Sequence, residues 1–185
     1  RFIFLGTIAD EEYLLEFHKG GFAYRTDRAM SGNQESAVTT LQSLPTHRLS
    51  GKITIRDTGE SVSGAQVVLV GEYEYEATVV STTGGDFRFD HVPRNIGQGV
   101  LFAKRDKECS AFHLIRSDVR SMDLMLGPSG RIKGNVVSET SGNPINGCTV
   151  TIRPDFRTGY SVETTTKEDG TYEVGDLPAG EYVVL

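Results

Sequence analysis

Leu49-Ser50-Gly51-Lys52-Ile53-Thr54-Ile55 and Ile132-Lys133-Gly134-Asn135-Val136-Val137 decide the fold, because both read apolar-x-Gly-x-apolar and they stand 83 residues apart. A fixed period constrains architecture more firmly than local propensity does, since each copy must bury the same face. The match continues at that shift through Gly59/Gly142, Val62/Ile145, Gly64/Gly147, Val67/Val150 and Leu69/Ile152. Beyond Leu69 the later copy gains two residues, and Gly85/Gly170, Phe87/Tyr172, Phe89/Val174, Val92/Leu177 and Pro93/Pro178 follow at a shift of 85.

The first residues fit only the second half of this pattern. Phe2-x-Phe4 is similar to Phe87-x-Phe89, and Ile8 to Leu15 lies over Leu177 to Val184. The expected organisation is therefore the C-terminal part of one unit in 1–45, a complete unit in 49–128 and the N-terminal part of a further unit in 131–185. The connections Leu44-Pro45-Thr46-His47-Arg48 and Leu126-Gly127-Pro128-Ser129-Gly130 carry Pro or Gly-Pro, which end strands and stiffen short linkers.

Within 49–128, Leu49, Gly51, Ile53 and Ile55 alternate onto one face, the period of a half-buried strand. Asp57-Thr58-Gly59-Glu60 reads as a turn, Ala65 to Val70 as a more continuous apolar strand, and Glu76 to Thr82 as another. Gly84-Gly85 then predicts a hairpin turn, as does Asp169-Gly170 between Thr164–Thr166 and Thr171–Val174. Phe87-x-Phe89, Val100 to Lys104, Ala111 to Ile115 and Val119 to Leu126 bring the complete unit to about seven strands. Short strands with turns every 8–12 residues predict an all-β fold of tandem Greek-key sandwiches. Ala9 to Lys19 fits both an amphipathic helix and a strand with Tyr13, Leu15 and Phe17 inward; the repeat, which puts Tyr182-Val183-Val184 in that slot, favours the strand.

Composition excludes several functions. The 185 residues carry a net charge of −6, with 37% hydrophobic and 24% charged residues, 21 Gly, two Cys and no Trp. That is a globular composition rich in turns. No run reaches the ~18 consecutive apolar residues of a spanning helix, and Arg1-Phe2-Ile3-Phe4-Leu5 lacks the apolar stretch of a signal peptide. An acidic chain without a basic stripe argues against nucleic acid as a partner, since phosphate neutralisation drives that binding.

Taken together, Ile132 to Val137, Gly142-Asn143-Pro144-Ile145-Asn146-Gly147-Cys148-Thr149-Val150, Thr166, Asp169-Gly170-Thr171-Tyr172 and Leu177-Pro178-Ala179-Gly180-Glu181-Tyr182 resemble the carboxypeptidase regulatory-like, or transthyretin-like, domain. In 49–128 Ser61 replaces the Pro of the Gly-x-Pro turn and the Pro-x-Gly loop widens to Pro93-Arg94-Asn95-Ile96-Gly97; in 1–45 Ala9 and Glu11 stand where Pro178 and Gly180 stand. The resemblance implies a Greek-key sandwich of seven or eight strands, usually a non-catalytic module of secreted or cell-surface multidomain proteins. Fold alone does not carry function.

Catalytic and cofactor signals are absent from the sequence. There is no Gly-x-Ser-x-Gly, Gly97-Gln98-Gly99 lacks a third glycine and a following helix, and His18, His47, His91 and His113 have no metal-ligand spacing, so they read as surface or loop residues. Thr166 to Gly170 resembles a calcium loop only superficially, lacking alternating Asp/Asn ligands and the distal Glu. The His/Arg constellation and Tyr-Arg-Gly-Ser end of purine-ring hydrolases of transthyretin type are not found. An isopeptide cross-link is disfavoured because Lys52 and Lys133 have outward parity and Val119 to Leu126 contains no Asn. Cys148 overlies Ala65, a small core slot that suits a buried free thiol, while a bridge between Cys109 and Cys148 stays open. The remaining binding signal is Glu72-Tyr73-Glu74-Tyr75-Glu76, which sets Tyr73 and Tyr75 on one face. That pair reads either as a platform for a sugar or peptide or as cover for the sandwich edge or a unit junction. The expectation is a non-enzymatic, cofactor-free spacer or interaction arm of a larger extracytoplasmic protein, whose partners are other domains of the same polypeptide. The alternatives are a carbohydrate- or protein-binding module, or an accessory domain of an enzyme whose catalytic part lies elsewhere.

Overall fold

The computed structural model describes the backbone of residues 12–17 and 25–30, and residues 40–72, 75–94, 96–156 and 160–185 with their side chains. All fifteen elements among them are strands. Strands β1 (Glu12–Phe17) and β2 (Arg25–Met30) pair antiparallel, from Glu12 opposite Met30 to Phe17 opposite Arg25. The strand reading of this segment holds against the helical one.

The next eight strands build one sandwich: β3 (Thr46–Ile55), β4 (Gln66–Val70), β5 (Glu76–Val80), β6 (Asp86–Pro93), β7 (Gly99–Arg105), β8 (Glu108–Cys109), β9 (His113–Ile115) and β10 (Leu124–Pro128). Their order is β5-β4-β7-β8-β10-β3-β6, with β9 also on β7. β10 joins the two layers: Gly127 and Pro128 pair antiparallel with β8, while Leu124–Leu126 run parallel to β3. The two-residue β8 is an eighth strand that the sequence does not signal. The last strand begins at Leu124 rather than Val119, because Val119 to Asp123 meet β3 through an isolated bridge, with Ser50 N–H on the Arg120 carbonyl and Met122 N–H on the Ser50 carbonyl, and through the Asp123 carboxylate instead of a continuous ladder.

The predicted apolar rows meet in the core. Leu49, Ile53, Val67, Leu69, Leu124 and Leu126 are fully buried, Phe87 and Phe89 nearly so, and Ile55 packs at the margin. Each such side chain contributes about 1.5–3 kcal/mol of transfer free energy. Gly51 permits this packing, for a Cβ there would lie 2.9 Å from the Phe87 ring; its repeat mate Gly134 sits against the ring of Tyr172, the mate of Phe87.

The remaining strands are β11 (Gly130–Asn135), β12 (Thr149–Pro154), β13 (Val162–Thr165), β14 (Thr171–Leu177) and β15 (Tyr182–Val184), arranged as β11-β14 facing β13-β12-β15. Val150, Ile152, Val174 and Leu177 form a second core. The hydrogen bonds repeat with the sequence: Val62 N–H to the Ile53 carbonyl (2.9 Å) matches Ile145 to Val136 (3.0 Å), and Ile53 to Gly85 (2.9 Å) matches Val136 to Gly170 (2.9 Å).

The two glycine turns differ from expectation. Gly85 N–H bonds the Thr82 carbonyl and Thr82 N–H the Asp86 carbonyl, as in a tight turn, yet β5 ends one layer and β6 ends the other. The turn over Lys167 to Thr171 likewise carries the chain from β13 to β14 in the opposite layer. They are corners between sheets rather than hairpins. The turn's own hydrogen bonds are alike in both cases, and burial of the apolar rows decides where the flanking strands go.

Candidate functional site

The sites singled out by the sequence are placed as follows. Tyr75 is half-buried against the first core and its hydroxyl donates to the His91 carbonyl at 3.4 Å; burial pushes its phenol up. Tyr73 lies outside the described residues. Both cysteines are free. Cys148 is only partly buried, against the expectation of a closed core slot, whereas its repeat mate Ala65 is fully buried. Cys109 is the buried thiol, pushed up to about 11 by burial and then by the Asp176 carboxylate, so it stays protonated and unreactive near neutrality.

The histidine reading needs correcting. His47 is on β3 and 8% exposed rather than at the surface, and His113 is half-buried on β9. His91 is exposed, and His18 lies outside the described residues. Among the described residues no cluster of His, Cys, Asp and Glu is arranged to hold a metal ion. At the calcium-like loop, the Asp169 carboxylate accepts from both the N–H and the hydroxyl of Thr171, at 3.0 and 2.6 Å, which lowers its pKa. That carboxylate closes its own turn.

An open groove of about 740 Å³ runs over the outer face of β3 and β6, lined by Ser50, Lys52, Val80, Asp86, Arg88 and Asp123 among others. Part of its charge is engaged locally: Arg48 and Arg88 both pair with Asp90 (3.2 and 3.0 Å), and the Asp123 carboxylate accepts the backbone N–H of Lys52 at 2.8 Å. Among its lining residues no hydroxyl is hydrogen-bonded to a carboxylate or histidine side chain; the Thr82 hydroxyl accepts the Asp86 N–H at 3.2 Å.

A second organised surface is the contact between the two cores. On the outer face of β4 and β7, Val68, Val70 and Phe102 are buried, covered by Phe112 and by Tyr160 from beyond β12. Phe102 meets Phe112 and Tyr160 edge-on at ring-centroid distances of 5.4 and 5.0 Å, and Phe112 meets Phe156 at 5.6 Å and Tyr182 at 6.0 Å. Edge-on aromatic pairs of this kind add about 0.5–1.5 kcal/mol each beyond the area they bury. Beside the rings, the Cys109 thiol donates to the Asp176 carbonyl (3.3 Å), and the Ser129 hydroxyl to the Asp176 carboxylate (3.3 Å). Asp176 adopts φ of 55°, a left-handed conformation uncommon for a residue other than glycine. Ser129 alone separates β10 from β11, and its N–H bonds the Lys107 carbonyl at 2.9 Å.

Sequence reasoning missed this contact. Its available signal was the continuous apolar run Val67 to Val70, which has a second buried face when both parities are apolar. Phe112, Phe156 and Tyr160, left without a slot in either core row, were the complementary half.

These observations define an all-β module protein with two neighbouring cores in contact. Residues 131–185 match the family model of the carboxypeptidase regulatory-like domain, the family their motifs resemble. No curated protein matches the chain. Among solved structures, a streptococcal ancillary pilin is similar at 13% identity and a TM-score of 0.36, over 96% of this chain and 66% of that one. The TIE protein of Bacillus anthracis is similar at 15% identity and 0.34, over 89% of this chain and 33% of that one. Two B repeat units of the collagen binding protein of Staphylococcus aureus are similar at 14% identity and 0.33, over 89% and 48%. The chain thus spans between a third and two thirds of the length of these proteins.

Proposed function

We propose that this chain is a tandem array of β-sandwich modules, divided as 1–45, 49–128 and 131–185, that acts as a semi-rigid spacer or interaction arm without catalytic activity. The observation that carries the reading is the junction: a single residue links two strands, and an aromatic cluster fixes the neighbouring cores to each other. Such a contact lets one unit transmit its orientation to the next, which is what an arm requires. The partners are then other domains of the same polypeptide, in the secreted or cell-surface setting that the family resemblance implies, and no cofactor is called for. Small-angle X-ray scattering tests it. An elongated particle is expected, and a compact globular profile would remove the spacer reading.

A specific observation bears on the alternative ligand site at Tyr73 and Tyr75. Tyr75 is the repeat mate of Tyr160 at the shift of 85, and Tyr160 serves the contact between cores. A junction role for the tyrosine loop is therefore favoured over a carbohydrate platform. Titration with a polysaccharide panel discriminates the two: saturable binding lost in both Tyr73→Ala and Tyr75→Ala would restore the ligand site. The accessory-domain alternative differs only in what the arm carries.

A further inference from the structure

The first and last strands of the eight-stranded sandwich run in the same direction. β3 and β10 pair in parallel, with Leu124 opposite Ile53, Met125 opposite Thr54 and Leu126 opposite Ile55, and a further parallel bridge joins Ser50 to Ser121. Thr46, where the chain enters β3, and Pro128, where it leaves β10, therefore lie at opposite poles of the sandwich. A load applied through these two ends drives β3 and β10 past each other along their length.

Resistance to that sliding is built along the whole seam. On β3, the amides of Ser50, Lys52 and Arg56 donate to the Arg120 carbonyl (3.1 Å), the Asp123 carboxylate (2.8 Å) and the Leu126 carbonyl (2.8 Å), and the Met122 N–H bonds the Ser50 carbonyl (3.0 Å). Where the ladder is interrupted before Leu124, the Asp123 side chain thus supplies an acceptor. Under shear these bonds carry the load together, whereas a peeling load meets them one at a time. Forced unfolding follows the height of that barrier and not the equilibrium stability. Behind the seam, Leu124 and Leu126 are fully buried with Leu49 and Ile53, so a slip of one residue turns both leucines away from the core. On its other side β3 is held by β6 from Thr46 to Lys52.

We propose that the seam between β3 and β10 is a mechanical clamp, which fits the sandwich of 46–128 to bear tension passed along the polypeptide. The role rests on the arm reading, since an arm is loaded through its ends.

Single-molecule force spectroscopy on the full chain tests it, with handles first at Arg1 and Leu185 and then at Arg1 and position 118. The second geometry uses Asp118→Cys in a Cys148→Ser background, the buried Cys109 staying unlabelled. Asp118 is exposed and precedes the Ser121 bridge to Ser50, at the pole where β3 begins, so this pull peels the seam from one end. At one loading rate, the sandwich should need about twice the force or more through its two ends than by peeling. Asp123→Ala, at an exposed position, should lower the end-to-end force and leave the peeling force unchanged, while Asp123→Asn, which keeps an acceptor oxygen, should retain the parent values. Equal forces in the two geometries, or a loss alike in both with Asp123→Ala, would overturn the clamp. Scattering decides the arm and the force ratio decides the clamp, so the two readings fail separately.

Discussion

His47 shows how burial changes the chemistry of a residue that the sequence leaves unmarked. It sits on β3 opposite Val92, and neither ring nitrogen has a hydrogen-bond partner of normal geometry. Burial, then the Arg120 and Arg94 guanidinium groups, lower its pKa from 6.5, while the nearby Val119 carbonyl pulls the other way. The folded protein therefore holds this ring neutral, and the unfolded chain binds the proton more readily. Stability from this group is complete above about pH 6.5 and falls as pH drops through the lowered value. His113, lowered by burial, adds to the same acid-side loss. His47→Leu should flatten the fall in melting temperature between about pH 7 and 5 without abolishing it, His113 supplying the remainder. Identical pH slopes in parent and variant would show that His47 does not titrate with unfolding.

At the scale of the element, the corners over Thr82 to Asp86 and Lys167 to Thr171 hold the two layers of each sandwich together. Gly85 and Gly170 have φ of 82° and 74°, and a Cβ at either would lie 2.6 Å from the carbonyl oxygen of Ile53 or Val136. Both the conformation and the space demand glycine. Gly85→Ala should cost about 2 kcal/mol or more by denaturant unfolding. Gly142→Ala, at φ of 72° with nothing within 4 Å, carries only the conformational part and should cost about 1 kcal/mol. Equal costs would mean that the close approach is relieved by backbone movement. A second repeated device adjoins these corners: the Ser81 hydroxyl links the Val62 carbonyl (2.7 Å) to the Ala65 N–H (3.0 Å), and Thr166 links Ile145 (2.7 Å) to Cys148 (2.9 Å). Thr166 was marked by the family resemblance, though its role was not, and Ser81 was not legible at all, since a lone Ser or Thr at a strand end is indistinguishable from a surface one until the opposing backbone is in place. The glycines were legible because their sterics are local, although their role as corners instead of hairpins was not.

For the whole molecule the deciding feature is the aromatic contact between the two cores. Phe112 touches Phe102, Phe156, Tyr160 and Tyr182 and is the hub of that contact. Phe112→Ala should remove about 2 kcal/mol of coupling, and calorimetry should then separate the melting of β11 to β15 from that of β3 to β10. A single transition at the parent temperature would mean that the linker alone fixes the arrangement. By itself the sequence determined the all-β class, the period, the core rows and the glycine turns, because alternation, chain reversal and positive φ are properties of a few adjacent residues. Only the tertiary structure decided the layer that each strand joined, the burial of His47 and the contact between neighbouring cores. Those depend on which surfaces are covered by residues distant in the chain, and coverage is a sum over the whole fold that no local pattern contains.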